Sequence, residues 1–263
     1  MKIINAHTHY GKVYDMPFMN ATFEEVLQVE RKAGVTANVF LGRCESCVDP
    51  NEREGRRNLR IDTVLKINEE VLKNVSKEKH CYMCCVLNPL YKESYRQVEE
   101  FIKEKKCIGV KMGPNYHGYG IDEVADDVFP FLVEKNIPVT FHSMQNGKDN
   151  PERIAYYAAK YPKARIIMAH LFYSNPITVH ADLVSMCKSE NLYVGLEGER
   201  MAYYGIIEYA IKRCGSDKII FGSDIPCHHP GPFIAAIRCA NIALKDRENI
   251  FFRNAERFYG MKL

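Results

Sequence analysis

Two histidines near the start of the chain, His7 and His9, have a spacing that suits metal binding. They close a short apolar run, and side chains two positions apart on a β-strand point to the same side. The pair therefore predicts two imidazoles that can hold one metal ion. A strand end with two hydrogen-bonded imidazoles would show the same spacing, so the rest of the chain must distinguish the two interpretations.

Further polar side chains stand where later apolar runs end. Neutral imidazoles and one carboxylate form a ligand set for zinc or a similar divalent ion, with an open position for water. Such a metal lowers the pKa of its bound water to about 7, and a neighbouring carboxylate or imidazole can transfer the proton. The residues concerned are Lys111, His142, His170 and Asp224.

The elements that must position these residues alternate between strand and helix. Eight apolar runs are each followed by a segment of helical period, which predicts an α/β fold, a (β/α)8 TIM barrel with the metal site at the C-terminal ends of the strands. The length of 263 residues suits one such barrel, and we predict a single domain over residues 1–263. No Gly-rich phosphate turn follows the first strand, which argues against a doubly wound sheet. The predicted strands are 3–9, 35–41, 80–87, 107–112, 137–141, 165–169, 192–196 and 218–222, and the predicted helices are 23–33, 59–75, 91–106, 127–135, 151–160, 178–190, 204–214 and 233–244.

Strand alternation predicts which side chains point into the barrel. Helices cover the outside of a barrel, so inward positions at the strand ends should carry the chemistry. In the first strand, alternation places Asn5, His7 and His9 inside, with Ile4 and Ala6 outside. The other predicted inward side chains are Lys111, Thr140, His142, His170, Glu197, Glu199 and Asp224, and the predicted outward ones include Ile108, Ile167 and Ala169.

Six motifs point to a known group of enzymes. They are Asn5-Ala6-His7-Thr8-His9, Gly109-Val110-Lys111, Pro138-Val139-Thr140-Phe141-His142, Ile167-Met168-Ala169-His170, Phe221-Gly222-Ser223-Asp224-Ile225-Pro226 and Asn254-Ala255-Glu256-Arg257-Phe258-Tyr259-Gly260. With them, the whole chain resembles the amidohydrolase superfamily, and more closely its amidohydrolase-related branch. That branch contains small metal-dependent TIM-barrel hydrolases and aminocarboxymuconate-semialdehyde decarboxylase-like enzymes.

The resemblance implies metal-binding roles for residues at both ends of the chain. By this resemblance, His7, His9, His142 and Asp224 hold a catalytic metal, normally zinc. Asp224 also acts as a general base, and His170 acts on the substrate or on the metal-bound water.

Lys111 has two alternative roles, which decide the number of metal ions. In binuclear relatives, such as the phosphotriesterase-like enzymes, a lysine on the fourth strand is carboxylated and bridges two ions. Lys111 would then bind a second metal together with His142 and His170. Mononuclear decarboxylases are not expected to use the lysine in this way, and Lys111 could stay a cation that binds an anionic substrate. We therefore predict one divalent ion, or two if Lys111 is carboxylated.

Several other polar residues near the strand ends could bind substrate. Arg43 and Arg200 could clamp a substrate carboxylate with two parallel hydrogen bonds, although a surface ion pair is the commoner role of an arginine. Glu197 and Glu199 could balance Lys111 and Arg200 or serve as acid–base groups, and we favour the structural role. The loop residues expected to reach substrate are Tyr116, His117, Tyr119, His228 and His229, whereas His80 and His180 are predicted surface residues.

These residues predict a metal-dependent enzyme. The leading interpretation is an amidohydrolase-type hydrolase, in which zinc-activated water attacks an amide, lactone or ester of a small, anionic substrate. The alternative is a lyase, namely a metal-dependent non-oxidative decarboxylase or hydratase of a small carboxylic acid. The substrate itself depends on loops that fold-level analogy does not specify.

Composition and charge restrict the partners. The 36 Lys and Arg residues against 33 Asp and Glu, without a long basic run, argue against nucleic-acid or membrane binding. The sequence predicts neither a signal peptide nor a bilayer-spanning segment, so we expect the ten cysteines to be reduced thiols. We expect a cytoplasmic protein that binds a small molecule, and the chain could form a homodimer.

Overall fold

The computed structural model of the chain describes residues 1–12, 17–44, 60–145, 147–174, 176–187, 189–260 and 262. Its central feature is a barrel of eight parallel strands in sequential order, which confirms the predicted TIM barrel. The strands are β1 (Ile4–Thr8), β2 (Ala37–Leu41), β3 (Cys81–Val86), β4 (Cys107–Met112), β5 (Val139–Phe141), β6 (Ile166–Met168), β7 (Leu192–Gly195) and β8 (Ile219–Ile220).

Backbone hydrogen bonds between β1 and the segment after β8 close the barrel. The backbone N–H of Asp224 donates to the carbonyl of His7 over 2.9 Å, and that of His9 donates to the carbonyl of Ile225 over 2.8 Å. These bonds continue to the C-terminal edge of the barrel. The first and last parts of the sheet therefore end side by side, where parallel barrels place their active sites.

A helix on the outside follows each strand. None of the helices in the described residues has both the length and the apolar character needed to span a bilayer. Residues 45–59, which include the predicted helix start at Leu59, lie outside the described residues. In the described part of the chain, the eight helices that follow the strands are α1 (Phe23–Ala33), α2 (Ile61–Val75), α3 (Lys92–Phe101), α4 (Ile121–Glu134), α5 (Pro151–Lys160), α6 (Val179–Cys187), α7 (Ile206–Cys214) and α8 (Pro230–Cys239), and a terminal helix is α9 (Asn254–Tyr259). Two short helices, Pro114–His117 and Leu244–Glu248, lie between them.

Local side chains set the ends of α1 as predicted. The hydroxyl of Thr22 accepts from the backbone N–H of Glu25, and the carboxylate of Glu25 accepts from the backbone N–H of Thr22, which forms a capping box. Gly34 ends the helix in the left-handed conformation, with φ of 90°. By contrast, α4 begins at Ile121, six residues before the predicted start, because its apolar positions extend the helical period toward Gly120.

Two hydrophobic clusters hold the barrel. The larger one fills the space between the strands and the surrounding helices. The smaller one lies inside the barrel and includes side chains of α9, among them Phe258 and Tyr259. The carbonyl of Phe258 accepts from Arg165, which precedes β6, and Asn254 donates to the carbonyl of Ile219 at the start of β8. The terminal helix α9 therefore covers the N-terminal end of the barrel, opposite the predicted site.

The predicted alternation was wrong in the lower part of β1. Ile4 and Ala6 belong to the interior cluster, whereas Asn5 contacts α1 on the outside. The pairing of β1 with β2 contains one extra residue between Asn5 and Thr8. This bulge reverses the alternation, so His7 still reaches the interior.

Alternation also failed in two other strands. Ile167 on β6 belongs to the interior cluster, and Ile108 on β4 packs against it, although both were predicted to face outward. The pairing of β3 with β4 shifts by one residue at Ile108. After β6, His170 has a left-handed backbone with φ of 67°, which redirects a side chain that strict alternation would turn outward.

Several buried cysteines pack in the core. Cys81 belongs to the cluster outside the barrel and Cys84 to the cluster inside it, so the two thiols cannot share one metal ion. The sulfur atoms of Cys85 and Cys107 approach to 3.4 Å. No disulfide joins the cysteines of the described residues.

We expect Phe258→Ala to destabilise the protein by about 3–5 kcal/mol, because it leaves a cavity at the closed end of the barrel. Phe258 is 1% exposed, and its ring centroid lies 5.4 Å from that of Tyr193. Urea denaturation measures the change. Tyr204→Ala, which truncates a fully exposed ring, is the control and should change stability by less than about 0.5 kcal/mol.

Candidate metal centre

Three ligand atoms converge where β1 meets the segment after β8. The Nε2 atoms of His7 and His9 lie 3.1 Å apart. Oδ1 of Asp224 lies 3.5 Å from the first and 3.3 Å from the second. We call this group the three-donor centre. Its atoms lie within 4.8 Å of one another, and both imidazoles are buried.

Hydrogen bonds outside the centre orient both imidazole rings. Nδ1 of His7 donates to Oε1 of Glu197, and Nδ1 of His9 donates to the carbonyl of Leu41 over 2.7 Å. In a neutral imidazole, the other ring nitrogen then carries a lone pair. Two lone pairs and a carboxylate oxygen consequently face one another without a proton between them, and a cation would relieve their repulsion. This donor set suits zinc and other divalent first-row metals.

Burial and neighbouring charges favour the metal-binding protonation states. Burial, together with the charge of Lys111, holds the pKa of His7 well below its ordinary value. The pKa of Asp224 lies well below its usual range: burial alone would raise it, but the imidazoles of His9, His7 and His170 beside the carboxylate outweigh burial. At neutral pH, His7 can therefore bind a metal ion as a neutral imidazole, and Asp224 can bind it as an ionised carboxylate.

Glu197 organises the back of the centre. Besides binding His7, its Oε2 accepts from the backbone N–H of His170 over 3.1 Å. A Cβ atom at Gly222 would lie 2.7 Å from both the Oε1 atom of Glu197 and the Cβ atom of His7. Only glycine therefore lets the backbone at position 222 come this close to both side chains. These contacts agree with the structural role that we favour for Glu197, and they give it a function, which is to orient His7. The side chain of Glu199 lies outside the described residues.

The other predicted metal-site residues lie beside the three-donor centre. The ring centroid of His170 is 5.3 Å from that of His7 and 4.7 Å from that of His142. Burial and the charge of His142 hold the pKa of His170 well below its ordinary value. Lys111 is 3% exposed, and within the described part of the chain its Nζ has no hydrogen-bond partner. Whether His142 and Lys111 bind metal stays a prediction.

Asn5 connects the elements that carry the ligands. Its Oδ1 accepts from the backbone N–H groups of His7 and Ser223, over 3.2 Å and 3.1 Å. Its Nδ2 donates to Oγ of Ser223 and, over 2.6 Å, to Oε1 of Glu30 on α1. Because Ser223 precedes Asp224, Asn5 fixes the backbone next to ligands from both ends of the chain.

Backbone carbonyls bind the two arginines that we predicted as carboxylate clamps. Nη1 of Arg43 lies 3.4 Å from the carbonyl oxygen of Tyr10, and Arg43 lines a cavity of about 190 Å³ with Tyr10 and Glu70. Nη1 of Arg200 donates to the carbonyl of Ser174 over 3.0 Å, which joins the loop after β7 to the loop after β6. Substrate binding by either arginine stays a prediction.

Tyr116 and His228, which lie between the strands and the helices that follow them, are placed where a substrate could reach them. The hydroxyl oxygen of Tyr116 is 3.5 Å from Nε2 of His142. His228 lines a cavity of about 310 Å³ with Met201 and Phe233, just after Asp224 in the chain. Both therefore remain candidates for substrate binding.

Three other side chains are less exposed than we expected. Tyr119 and His117 have no exposed surface, because a short helix, Pro114–His117, turns the chain after β4 into the core. The surface prediction was wrong for His180, which is fully buried and has its Nε2 3.0 Å from Oγ of Ser143. Burial lowers the pKa of His180 to about 4. The prediction was right for His80, which is exposed.

Sequence reasoning missed the groups that hold the imidazoles in place. They are the carbonyl of Leu41, which binds His9, and the carboxylate of Asp149, which binds His142. A backbone carbonyl carries no sequence signal. Asp149 stands in an irregular loop, and its only signal is a carboxylate seven residues after a predicted ligand.

An eight-stranded barrel with one histidine on β1, a second directly after it and an aspartate after β8 defines a TIM-barrel enzyme with a His-His-Asp site for a metal ion. The chain belongs to the amidohydrolase family, whose sequence model matches residues 4–261. This confirms the resemblance drawn from the six motifs. No protein with a curated description matches the sequence.

Several solved structures are similar to the chain over nearly its full length. One is 5-carboxyvanillate decarboxylase from Sphingomonas paucimobilis, with a TM-score of 0.73, 12% identity and 99% coverage of each chain. Another is 2,6-dihydroxybenzoate decarboxylase from Rhizobium, with a TM-score of 0.73, 12% identity and 98% coverage of each chain. A third is dihydroxybenzoic acid decarboxylase from Polaromonas sp. JS666, with bound manganese and the inhibitor 2-nitroresorcinol; its TM-score is 0.72 at 16% identity, and 98% of this chain and 97% of that chain are covered. At these identities the likeness establishes the fold.

We expect Glu30→Gln to remove part of the pH dependence of stability. Burial raises the pKa of Glu30 to about 8 from its ordinary 4.5. Between these values the folded protein keeps a proton that the unfolded chain releases, so this carboxyl makes the free energy of unfolding fall as pH rises, by at most roughly 1.4 kcal/mol per pH unit. The glutamine variant should lose that slope in urea denaturation at pH 5.5 and 7.5. Glu24→Gln, which removes an exposed carboxyl from α1, is the matched control, and an equal slope in wild type and Glu30→Gln would contradict the prediction.

Proposed function

We propose that this chain is a metal-dependent, non-oxidative decarboxylase of a small carboxylic acid that carries an acidic hydroxyl beside its carboxyl group. One observation carries the proposal: the buried Lys111 lies next to the three-donor centre. Lys111 is buried on β4, where it pairs with Thr140 of β5, two residues before His142, and its charge contributes to the lowered pKa of His7.

Lys111 requires an anion. Its Nζ is buried and has no hydrogen-bond partner within the described residues, and an unpaired buried ammonium is costly. A substrate anion would provide the missing partner. With a divalent ion in the three-donor centre, the ion and Lys111 would be two positive groups at the same end of the barrel. A substrate with two adjacent anionic oxygens could bind one oxygen to each of them.

The protonation state of Asp224 suggests the proton path. A divalent ion held by His7, His9 and Asp224 would supply positive charge to the anionic oxygens of the substrate. Since Asp224 is ionised, it can deliver a proton only after taking one, and an acidic substrate hydroxyl can provide it. Asp224 would then return this proton to the carbon that bears the carboxyl group.

The bonds in this proposed reaction balance without an oxidant or reductant. Loss of the hydroxyl proton leaves the substrate as an enolate. The electrons of this enolate form the new carbon–hydrogen bond, and carbon dioxide then leaves. The electrons of the broken carbon–carbon bond restore the enolate, and a solvent proton neutralises its oxygen. His170, whose Nδ1 has no partner among the described residues, is the neighbouring imidazole that can relay this proton.

The similar structures support this choice over the hydrolase that we first favoured from the sequence. The three described above are decarboxylases of aromatic acids, and one contains manganese. Because they share only the fold at these identities, their substrates guide the choice of compounds to test. Zinc remains our expected metal, and manganese is the second ion to test.

Hydrolysis is the second candidate. An ionised Asp224 could also act as the general base toward water at an amide, lactone or ester carbon. Lys111 lies on β4, and His142 and His170 follow β5 and β6, so a carboxylated Lys111 could bind a second ion with them. Product chemistry and metal content separate the two candidates.

We expect the zinc- or manganese-loaded protein to release carbon dioxide from ortho-hydroxybenzoates. In heavy water, the product should carry one deuterium at the carbon that lost its carboxyl group, which mass spectrometry and NMR detect. His7→Ala and Asp224→Asn should lower the rate by at least about 100-fold, because the centre loses a donor. If only esters, lactones or amides react, with oxygen from labelled water in the product acid, hydrolysis is the function.

We expect one equivalent of bound metal in both the wild type and Lys111→Met. The variant should raise KM for the hydroxybenzoate by about 10-fold or more, since it removes a charged partner of the substrate. Elemental analysis and steady-state kinetics measure the two effects. Lys160→Met, which changes an exposed lysine on α5, is the control. Two equivalents in the wild type and one in Lys111→Met would instead support the binuclear hydrolase.

A further inference from the structure

Asp149 is a fully buried carboxylate that neither the metal centre nor the proposed proton path uses. It lies in the segment between β5 and α5, seven residues after His142. Its Oδ2 accepts a hydrogen bond from Nδ1 of His142. A buried carboxylate is costly unless it is hydrogen-bonded, so the partner His142 indicates what Asp149 does.

Both ends of the segment between β5 and α5 are held by hydrogen bonds, and Asp149 near its end contacts His142. At its start, Oγ of Ser143 lies 3.0 Å from Nε2 of His180 on α6. The backbone N–H of Met144 lies 3.3 Å from the carbonyl oxygen of Asp149, which closes the loop. At its end, the Asn150 side chain caps α5 by accepting from the backbone N–H of Glu152 over 2.8 Å. The position of Asp149 is therefore fixed by the start of a helix.

Gly147 provides an independent indication that the loop is shaped around this carboxylate. A Cβ atom at position 147 would lie only 2.5 Å from Oδ1 of Asp149. Any residue other than glycine would therefore have to push the carboxylate away from its present place. Glycine at position 147 is therefore needed for the Asp149 carboxylate to stay beside His142.

The contact decides which nitrogen of His142 carries the proton. A carboxylate accepts hydrogen bonds, so Nδ1 must be the protonated nitrogen, and Nε2 keeps its lone pair. Nε2 lies 3.5 Å from the hydroxyl oxygen of Tyr116, and the ring centroid of His142 lies 4.7 Å from that of His170, which is itself 5.3 Å from the ring centroid of His7. One imidazole, that of His170, therefore separates His142 from the three-donor centre.

The same arrangement holds for the two histidines of the three-donor centre. His7 and His9 also donate from Nδ1 to an acceptor outside the centre, and in both neutral rings Nε2 carries no proton. His170 differs, because its buried Nδ1 has no partner within the described part of the chain. This pattern groups His142 with the metal ligands and separates it from the histidine that can relay a proton.

We propose that Asp149 is a positioning residue, which locks His142 in the Nδ1-protonated tautomer and aims its Nε2 lone pair at the metal. The inference rests on the proposed metal-dependent function for its consequence, but the tautomer itself depends on neither metal nor substrate. Mutation of a residue that hydrogen-bonds to a metal-binding histidine typically lowers metal affinity by about 10- to 100-fold.

NMR of the metal-free protein with 15N-labelled histidine tests the inference directly, since the two ring nitrogens of each tautomer have different shifts. We expect Nδ1–H for His142 in the wild type and loss of this single tautomer in Asp149→Ala. Asp149→Asn keeps an acceptor oxygen and should retain the tautomer, and Gly147→Ala should disturb it with Asp149 still present. Asp126→Ala, on the exposed side of α4, is the matched control. His142 protonated on Nε2 in the wild type, or an unchanged spectrum in folded Asp149→Ala, would overturn the proposal.

Zinc affinity, measured by competition with a chromophoric chelator, tests the consequence. Asp149→Ala should bind zinc about 10- to 100-fold more weakly than the wild type, and Asp149→Asn should recover part of this loss. Equal affinity in all variants would refute the role of Asp149 in metal binding. If the wild type bound no metal, the proposed function would fail, whereas the NMR result would still decide the tautomer.

Discussion

Closure of the barrel between β1 and the segment after β8 is the constraint on which the rest of the structure depends. His7 and His9 come from the first strand and Asp224 from beyond the last one, more than 200 positions later in the sequence. The hydrogen bond from Asp224 to the His7 carbonyl brings these side chains together. Because the donors belong to opposite ends of the chain, the centre exists only when the whole barrel is folded.

The histidines of the site fall into two groups, which differ in the hydrogen-bond partner of Nδ1. Glu197, the Leu41 carbonyl and Asp149 each fix one imidazole, so that its other nitrogen has a single direction and a single protonation state. His170 is held by its backbone and has no partner on Nδ1 within the described residues. A ring whose proton is not fixed suits proton transfer, whereas fixed rings suit metal binding.

Buried polar groups near the three-donor centre do not favour folding. Lys111 lacks a hydrogen-bond partner in the described part of the structure, and Glu30 has a pKa near 8 because of its burial. Such groups are tolerated where they serve a purpose, and here Glu30 supports Asn5 while Lys111 is ready for an anion. The apolar clusters on both faces of the strands, with α9 at the closed end, offset their cost.

The sequence by itself determined the order and type of the elements, because eight apolar runs alternating with helical periods leave few folds other than the barrel. It also identified His7, His9 and Asp224, because chemistry in a barrel gathers at strand ends. Strict alternation nevertheless misplaced Asn5 and Ile167, since a bulge in β1 and a left-handed residue after β6 depend on strand pairing rather than on local pattern. The partners Glu197 and Asp149 were decided only by the tertiary structure, because a hydrogen bond between distant segments leaves no periodic signal in either of them.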